Sequence, residues 1–549
     1  MSYREIAKIL GFYFLAFAAI LMIPLFLSLY YQFIVAPSEH PQPHSTFAFL
    51  DTIFVCAVMG IGLFWIGRHT KGHLFKKESM VLVVLVWCLT PAIAAMPFIF
   101  SDTLKNPFQA YFETVSGLTT TGSTVMQARN YDPQTGQEIP YQKAYGDDLL
   151  TTYTFYGTIA PVKDPETGKV LYEGIEAVGK ALLFWRSFLQ ALGGIGVVIL
   201  FVAILPSLGV SGKLLFQAEM TGPIKDSITP RVAQAAWRLW MIYLGLSILQ
   251  FILLMITNSK MEWLDAATIT FSTLSTGGFS IRNSSIGYYD NTLTDWVIIL
   301  FMILGATNFS VYYYSLRGMF YRIYKPELWL YLGTIFVTSL IGSWYLIGYE
   351  KTLLTTNSQG SFDLFEAMRH GTFQIVSALT STGFATANYD FWPYPVQTIM
   401  LIVMFVGGMS GSTGGGIKMI RHYIMFHIGR LRVESLFQSK TVRKFKVSDQ
   451  EIGPEIAVLV LGFFWTMICV STLGVLMYVF DGIDPITSLG LVGCMINNTG
   501  MSFRIAGPIE SCAFLTNFSL VISSLLMLLG RLEFFVFLAV LMPSFWKEH

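Results

Sequence analysis

Four short runs of hydroxyl and amide side chains, each closing on glycine, are the residues of this chain whose types and spacing could do chemistry. They are Thr119-Thr120-Thr121-Gly122, Ser275-Thr276-Gly277-Gly278, Thr380-Ser381-Thr382-Gly383 and Asn497-Asn498-Thr499-Gly500. Setting Gly122 over Gly383 also superposes Phe112 on Phe373, Val115 on Val376, Ser116 on Ser377, Leu118 on Leu379 and Thr121 on Thr382. Anchored on Gly278, the second run keeps Ser272 and Leu274 in register and sets Phe279 on Phe384, whereas anchoring on Gly277 loses all three matches. The fourth copy is the weakest and draws support from its context. The chemistry such runs can do is cation coordination. A cation in a membrane must exchange its water for other oxygens, and backbone carbonyls supply them where the chain turns them toward one axis. Glycine permits that turn because it takes positive φ without a Cβ clash. A single Thr-Gly run is an ordinary turn, but four in register, each after a helix-like apolar segment, predict four loops converging as a selectivity filter.

The elements that must position these runs are membrane spans. Of 549 residues, 54% are hydrophobic and 13% charged, about half the charge of an ordinary soluble domain. Several apolar windows of about 20 residues are each long enough to cross a hydrocarbon core of about 30 Å. The net charge of +1 says little about partners, and nothing in the chain points to nucleic acid. Cys56, Cys88, Cys469, Cys494 and Cys512 lie in apolar segments without CxxC spacing and read as small core residues. The eight histidines form no spaced ligand set, and neither Ser-His-Asp nor HExxH appears. Metal catalysis is therefore unsupported, and the chain is expected to be neither an enzyme nor a cofactor carrier. The first apolar run, Ile9 to Val35, is too long for a signal h-region and is expected to be the first span.

Two leading spans, about 8–35 and 46–68, precede four units of span, short helix, Thr-Gly run and span. The units are 80–100, 107–118 and 181–204; 237–257, 262–274 and 294–316; 328–348, 363–379 and 394–428; and 455–480, 485–496 and 513–541. The expected fold is an all-α polytopic membrane protein of ten spans and four half-buried short helices. Its divisions are 1–72 for the leading helices, then 73–212, 213–322, 323–446 and 447–549 for the four repeats. Asn106-Pro107 and Asp484-Pro485 each pair a capping side chain with Pro at the first helical position, where its missing N–H costs nothing. Helices entering from outside and ending at the runs would aim their negative dipole ends at a cation. With both termini in the cytosol, Lys71, Lys76, Lys77 and the cluster Arg430, Arg432, Lys440, Arg443, Lys444 and Lys446 fall inside, as the positive-inside rule requires. That cluster serves orientation or lipid attraction at the least, and protein docking is a further use. The segment 127–180, rich in Pro and Gly, reads as an irregular polar insertion on the outside.

Two other constellations sit at membrane depth. Gly407-Gly408-Met409-Ser410-Gly411-Ser412-Thr413-Gly414-Gly415-Gly416 interrupts the last span of the third unit. Each Gly costs about 1 kcal/mol against Ala in a helix interior, and non-helical backbone survives there only when buried in protein or facing a watery cavity. No Gly-Lys-Ser/Thr ending is present, since Lys418 stands between Ile417 and Met419, so a phosphate loop is set aside. A movable obstruction beneath the filter fits the location better. Arg531, in Gly530-Arg531-Leu532-Glu533, lies inside the final span, where an unpartnered charge costs at least about 2.5 kcal/mol. It is expected to pair with Glu533 or a neighbouring carboxylate, to place a positive charge near the pore, or to do both.

The four runs, with Gly411-Ser412-Thr413-Gly414-Gly415-Gly416-Ile417-Lys418, Gly530-Arg531-Leu532-Glu533 and Ala218-Glu219-Met220-Thr221-Gly222-Pro223, resemble the Trk/Ktr/HKT superfamily of potassium transport proteins. The two leading spans make the TrkH type the nearest branch. The resemblance implies four unequal M1-P-M2 units around one pore, with K+ as the transported ion bound at the filter residues. It also implies a gating loop at 407–416 and a pore-facing Arg531. Its usual partners would be a second copy in a homodimer, a cytosolic nucleotide-binding regulatory ring of the TrkA type, and the bilayer of a bacterial inner membrane. Sodium-transporting plant relatives carry Ser at the first key position, where Gly122 stands here. The departures are the insertion and the Thr499-Gly500-Met501 ending. Passive K+ uptake is the expected activity, with K+ symport with H+ or Na+, or a non-conducting sensor or scaffold, as its rivals. A proton relay would want buried acids, of which Glu113 and Glu533 are the candidates.

Overall fold

The structure is a computed structural model that describes residues 2–35, 45–70, 75–132, 135–145, 151–164, 166–196, 232–354, 360–437, 446–447, 450–451 and 454–547. Helices α1 (Tyr3–Phe33) and α2 (Ser45–Gly67) pack along each other as a hairpin. Their approach depends on small residues, since a Cβ on Gly11 would lie 2.8 Å from the Gly60 carbonyl oxygen. The first unit continues the chain as α3 (Lys76–Phe100), the short α4 (Pro107–Leu118) and α5 (Lys180–Ile195). The second is α6 (Val232–Thr257), α7 (Trp263–Leu274), α8 (Thr292–Gly305) and α9 (Phe309–Leu316). The third is α10 (Pro326–Leu346), α11 (Leu364–Leu379), α12 (Tyr394–Val406) and α13 (Met419–Phe437). The fourth is α14 (Pro454–Phe480), α15 (Pro485–Asn497), α16 (Asn517–Arg531) and α17 (Phe535–Leu541).

Burial separates the two kinds of helix. The last three residues of each short helix, α4, α7, α11 and α15, are buried. The long helices instead turn apolar side chains outward, with Trp465 of α14 69% exposed and Phe480 85%. An apolar exterior around a polar interior is the arrangement a bilayer selects, because hydrocarbon cannot satisfy a backbone group. Two of the short helices, α4 and α15, carry the side-chain caps read from the sequence. Asn106 accepts from the Phe108 amide at 3.0 Å, and Asp484 accepts from the Ile486 and Thr487 amides at 3.1 and 2.9 Å. Helix α11 adds a capping box in which Asp363 and Glu366 each accept the other's backbone N–H.

The second spans differ from expectation. Only the third was expected to be interrupted, yet α8 and α9 meet at 94° across a short break and α16 and α17 at 119°. Helix α5 likewise stops at Gly196, at φ +96°. Its 16 residues reach about 24 Å, short of a full crossing. The rest of the span expected to 204, and Ala218 to Pro223 beyond it, lie outside the described residues. The breaks have local causes that apolarity conceals. Asn308 caps α9 by accepting from the Ser310 amide at 2.8 Å, and Glu533 and Phe534 take positive φ of +53° and +60°. Among the described residues, six helices are long and apolar enough to cross a membrane, or eight when each bent pair counts as one. The insertion also differs, because its described part holds three antiparallel hairpins in place of irregular chain. These pair Asn130–Tyr131 with Glu138–Ile139, Tyr141–Tyr145 with Thr151–Phe155, and Val162–Lys163 with Val170–Tyr172. Gly136 and Gly168 turn two of them at φ +67° and +68°.

Candidate functional site

The four Thr-Gly runs repeat one backbone figure. The key glycines take positive φ, +87° at Gly122, +75° at Gly278, +88° at Gly383 and +70° at Gly500. So do the residues two before them, +56° at Thr120, +55° at Thr276, +58° at Ser381 and +51° at Asn498. The intervening Thr121, Gly277, Thr382 and Thr499 do not. Alternating the hand of successive residues turns successive carbonyls to one side of the strand, as ion coordination requires. The intervening amides are all held alike. Thr121 N donates to Ser116 O at 2.8 Å, Gly277 N to Ser272 O at 2.7 Å, Thr382 N to Ser377 O at 2.9 Å, and Thr499 N to Cys494 O at 3.0 Å. Thr119 and Thr380 bond Thr121 and Thr382 through their hydroxyls at 2.8 Å, and Ser275 and Asn497 are buried at the equivalent level.

The strands close a ring. A Cβ built on Gly122 would fall 2.0 Å from the carbonyl oxygen of Gly277, and one on Gly278 would fall 1.9 Å from that of Thr382. One on Gly383 would fall 2.3 Å from Thr499 O, and one on Gly500 2.3 Å from Thr121 O. Each glycine thus faces the carbonyl preceding the next repeat's glycine, and the fourth repeat returns to the first. Only hydrogen fits at these four positions. A cavity of about 490 Å³ opens on the ring from the side of the insertion, touching Gly122, Gly278, Gly383 and Gly500 and reaching Arg282 and Glu510. The insertion is anchored at its rim. Tyr153 donates its hydroxyl to Asp484 Oδ2 at 2.7 Å, and Lys143 is ion-paired with Glu510.

Behind the first strand lies an ion pair that sequence patterning missed. Arg186 on α5 and Glu113 on α4 meet at 2.5 Å with 2% and 0% of their side chains exposed. Glu113 also accepts from Thr124 Oγ1 at 2.9 Å and Val125 N at 2.9 Å, while Arg186 donates to Ser280 O at 2.9 Å. One buried pair therefore fixes the chain leaving the first and second runs. A charged pair buried this deeply is held by geometry and extra hydrogen bonds, and losing one member costs about 3–5 kcal/mol. Arg186 was legible only as a lone charge inside an apolar span.

The glycine-rich loop lies directly against the other side of the ring. The Gly415 amide donates to Ser381 Oγ at 2.5 Å and the Gly416 amide to Asn497 O at 3.1 Å. Thr413 Oγ1 donates to Leu274 O at 2.9 Å and Gly305 O at 3.0 Å. Gly407, Gly411 and Gly416 of the loop take positive φ of +74°, +72° and +76°. Gly408 packs on Ala306, Gly414 stands 3.2 Å from the Thr380 carbonyl oxygen by its ideal Cβ, and Ser412 bonds back to Met409. Lys418 bonds the Gly414 carbonyl from below. Arg531 completes the layer. Its guanidinium donates to Thr413 O at 3.0 Å, to Gly193 O and Gly194 O at 2.5 and 3.1 Å, and to Thr120 Oγ1 at 3.5 Å. Glu533, two residues on, accepts from Arg421 with both carboxylate oxygens, at 3.2 and 2.5 Å. Glu533 stands at φ +53°, just past the end of α16.

Comparisons with known proteins agree with this arrangement. The family profile of TrkH, described as a cation transport protein, matches residues 163–547. The chain is 30% identical over 562 residues to the Trk system potassium uptake protein TrkH of Escherichia coli K12, covering all of both chains. It is 28% identical to the TrkG protein of that organism, over 99% of each. The crystal structure of the potassium transporter TrkH from Vibrio parahaemolyticus superposes with a TM-score of 0.77 at 27% identity, covering all of both chains. A profile match over more than half the chain, with end-to-end relatives at this identity, makes this multi-pass membrane protein a member of the TrkH family of cation transport proteins, and not an enzyme.

Proposed function

We propose that the chain is a K+ uptake subunit that passes K+ through the ring of Gly122, Gly278, Gly383 and Gly500 down its electrochemical gradient. The observation that carries this reading is the closure of the ring, each glycine standing against the carbonyl oxygen of the next repeat. Sixteen residues form the filter: Thr119 to Gly122, Ser275 to Gly278, Thr380 to Gly383 and Asn497 to Gly500. The loop 407–416 and Arg531 are the gate, supported by their position across the underside of all four strands. The membrane is the cytoplasmic one, with both termini and the basic end of α13 inside. Arg430 and Arg432 are exposed there, continuous through α13 with the loop. That continuity supports a cytosolic nucleotide-binding ring as the partner that moves the gate, with the membrane subunit working as a homodimer.

Protein reconstituted into liposomes and presented with K+, Rb+, Na+ and Li+ in turn tests the reading. K+ and Rb+ influx well above Na+ and Li+ is expected, and it should persist without a proton gradient. Equal flux of all four cations overturns the filter, and absence of flux from folded protein leaves the scaffold role.

A further inference from the structure

The second strand departs from the other three at one position. The residue before the key glycine is Thr121, Thr382 or Thr499 in three repeats and Gly277 in the second. Conformation does not demand this glycine, because Gly277 is not at positive φ. Space does: its Cβ would fall 2.4 Å from Gln190 Cδ. Gln190, fully buried on α5, occupies the volume a side chain at 277 would need. Its Nε2 donates to Gly277 O at 2.7 Å, and its Oε1 accepts from Phe279 N at 3.2 Å. Because α5 belongs to the first unit, both bonds cross the seam between units one and two.

The other seams carry a different pair. Gln190 stands three residues before Gly193, where α5 packs so closely on α4 that a Cβ would meet the Leu118 carbonyl. Three residues before Gly305, Gly407 and Gly530, at the breaks of the other second spans, stand Met302, Met404 and Met527, all fully buried. By position in the repeat, three seams thus match methionine with threonine, and one matches glutamine with glycine. Methionine has no donor and only a weak acceptor. In the first and third strands the threonine is tethered within its own loop, Thr121 to Thr119 and Thr382 to Thr380, and Thr121 also accepts from Asn498 Nδ2 of the fourth run at 2.9 Å. Glycine at 277 removes that tether, and the Gln190 amide supplies one from the neighbouring unit.

We infer that Gln190 is a positioning residue for the second strand, setting the direction of the Gly277 carbonyl that faces Gly122 in the ring. This rests on the filter reading. The test compares Gln190→Met, Gly277→Thr and the double variant, which rebuilds the pair found at the other seams. K+-over-Na+ flux ratios in liposomes are read alongside thermal stability of the purified protein. Each single change is expected to lower the ratio roughly tenfold, the order allowed by losing one net hydrogen bond, and the double variant to recover it to within roughly threefold. Where a single variant does not fold, folded yield replaces the ratio and rescue by the second change is read the same way. An unaltered Gln190→Met ratio, or losses that simply add in the double variant, overturns the inference. Gly122→Ala measured in parallel separates the two readings. If it too leaves the ratio unchanged, the filter itself is wrong; if it alone changes the ratio, only the role of Gln190 is.

Discussion

Serine in place of Gly122 would put its Cβ where the Gly277 carbonyl oxygen stands, 2.0 Å from the ideal position, and would hold a side chain at φ +87°. Either the carbonyl must swing or the strand must leave the left-handed region, which costs roughly 1–2 kcal/mol for a residue with Cβ. Both outcomes break the ring at one seam. Gly122→Ser is therefore expected to lower K+-over-Na+ discrimination at least roughly tenfold, the change that ~1.4 kcal/mol of altered ion binding produces. The equivalent changes at Gly278, Gly383 and Gly500 should act alike. Permeability ratios measured for all four variants check this, and unchanged ratios in well-folded protein exclude the assignment. A different residue-scale effect belongs to Asp390, beyond the ring on the insertion side. Burial, with Glu510 adding to it against the pull of Arg504, raises its carboxyl from 3.8 to about 7. Between those values the folded chain binds the proton that the unfolded chain has lost. Its contribution to stability is thus largest at low pH, falls as pH rises from about 4 to 7, and is flat above. Asp390→Asn should remove that slope, so that melting curves of the two proteins converge at low pH and separate, with the variant higher, toward pH 7.

At the scale of elements, the glycine-rich loop is the proposed gate. It is also bonded to two of the strands, through Gly415 to Ser381 and Gly416 to Asn497. Deleting Gly411 to Gly414 takes away Thr413 and with it bonds to Leu274, Gly305 and Arg531. We expect raised basal K+ flux that no longer needs a cytosolic partner, accompanied by a measurable fall in K+ selectivity because the third and fourth strands lose support. Low, partner-dependent flux in the folded deletion variant would remove the loop from the gate. Arg531→Gln should raise flux with a smaller loss of selectivity, since Thr413 and the loop amides stay in place; unaltered flux would count against the charge as a barrier. The repeat, the caps at Asn106 and Asp484 and the loop itself were legible because each is a local pattern of residue types. The breaks at 305–308 and 531–534 were not, because the flanking apolarity is that of an unbroken span and the deciding features are Asn308 as a cap and positive φ at Glu533. Arg186 and Gln190 escaped for another reason: their partners lie on other elements, and no spacing within one helix announces them.

For the whole molecule, the question raised by the proposed pore is whether K+ would move with a second ion, and the disposition of buried acids bears on it. Proton coupling needs a carboxylate that can change partners as the cycle turns, whereas an acid locked in a tight buried ion pair is fixed by the pair's geometry. Glu113 meets Arg186 at 2.5 Å, Asp265 meets Arg282 at 2.9 Å, Asp295 meets Arg369 at 2.7 Å and Glu533 meets Arg421 at 2.5 Å. These pairs join different units or different segments of one, so they work as bolts in the scaffold around the ring. Glu327 is unlike them: it accepts the Ser410 amide of the glycine-rich loop at 2.7 Å. The prediction is that K+ flux into proteoliposomes follows the K+ gradient and membrane potential alone. Imposing a proton gradient at clamped potential should leave the initial rate unchanged, and an internal pH dye should report no proton entry in step with K+. Glu327→Gln should leave that independence intact while altering how readily the loop opens. Proton uptake in fixed ratio to K+, abolished by Glu327→Gln, would instead make this buried acid the coupling site and turn the pore into a symporter.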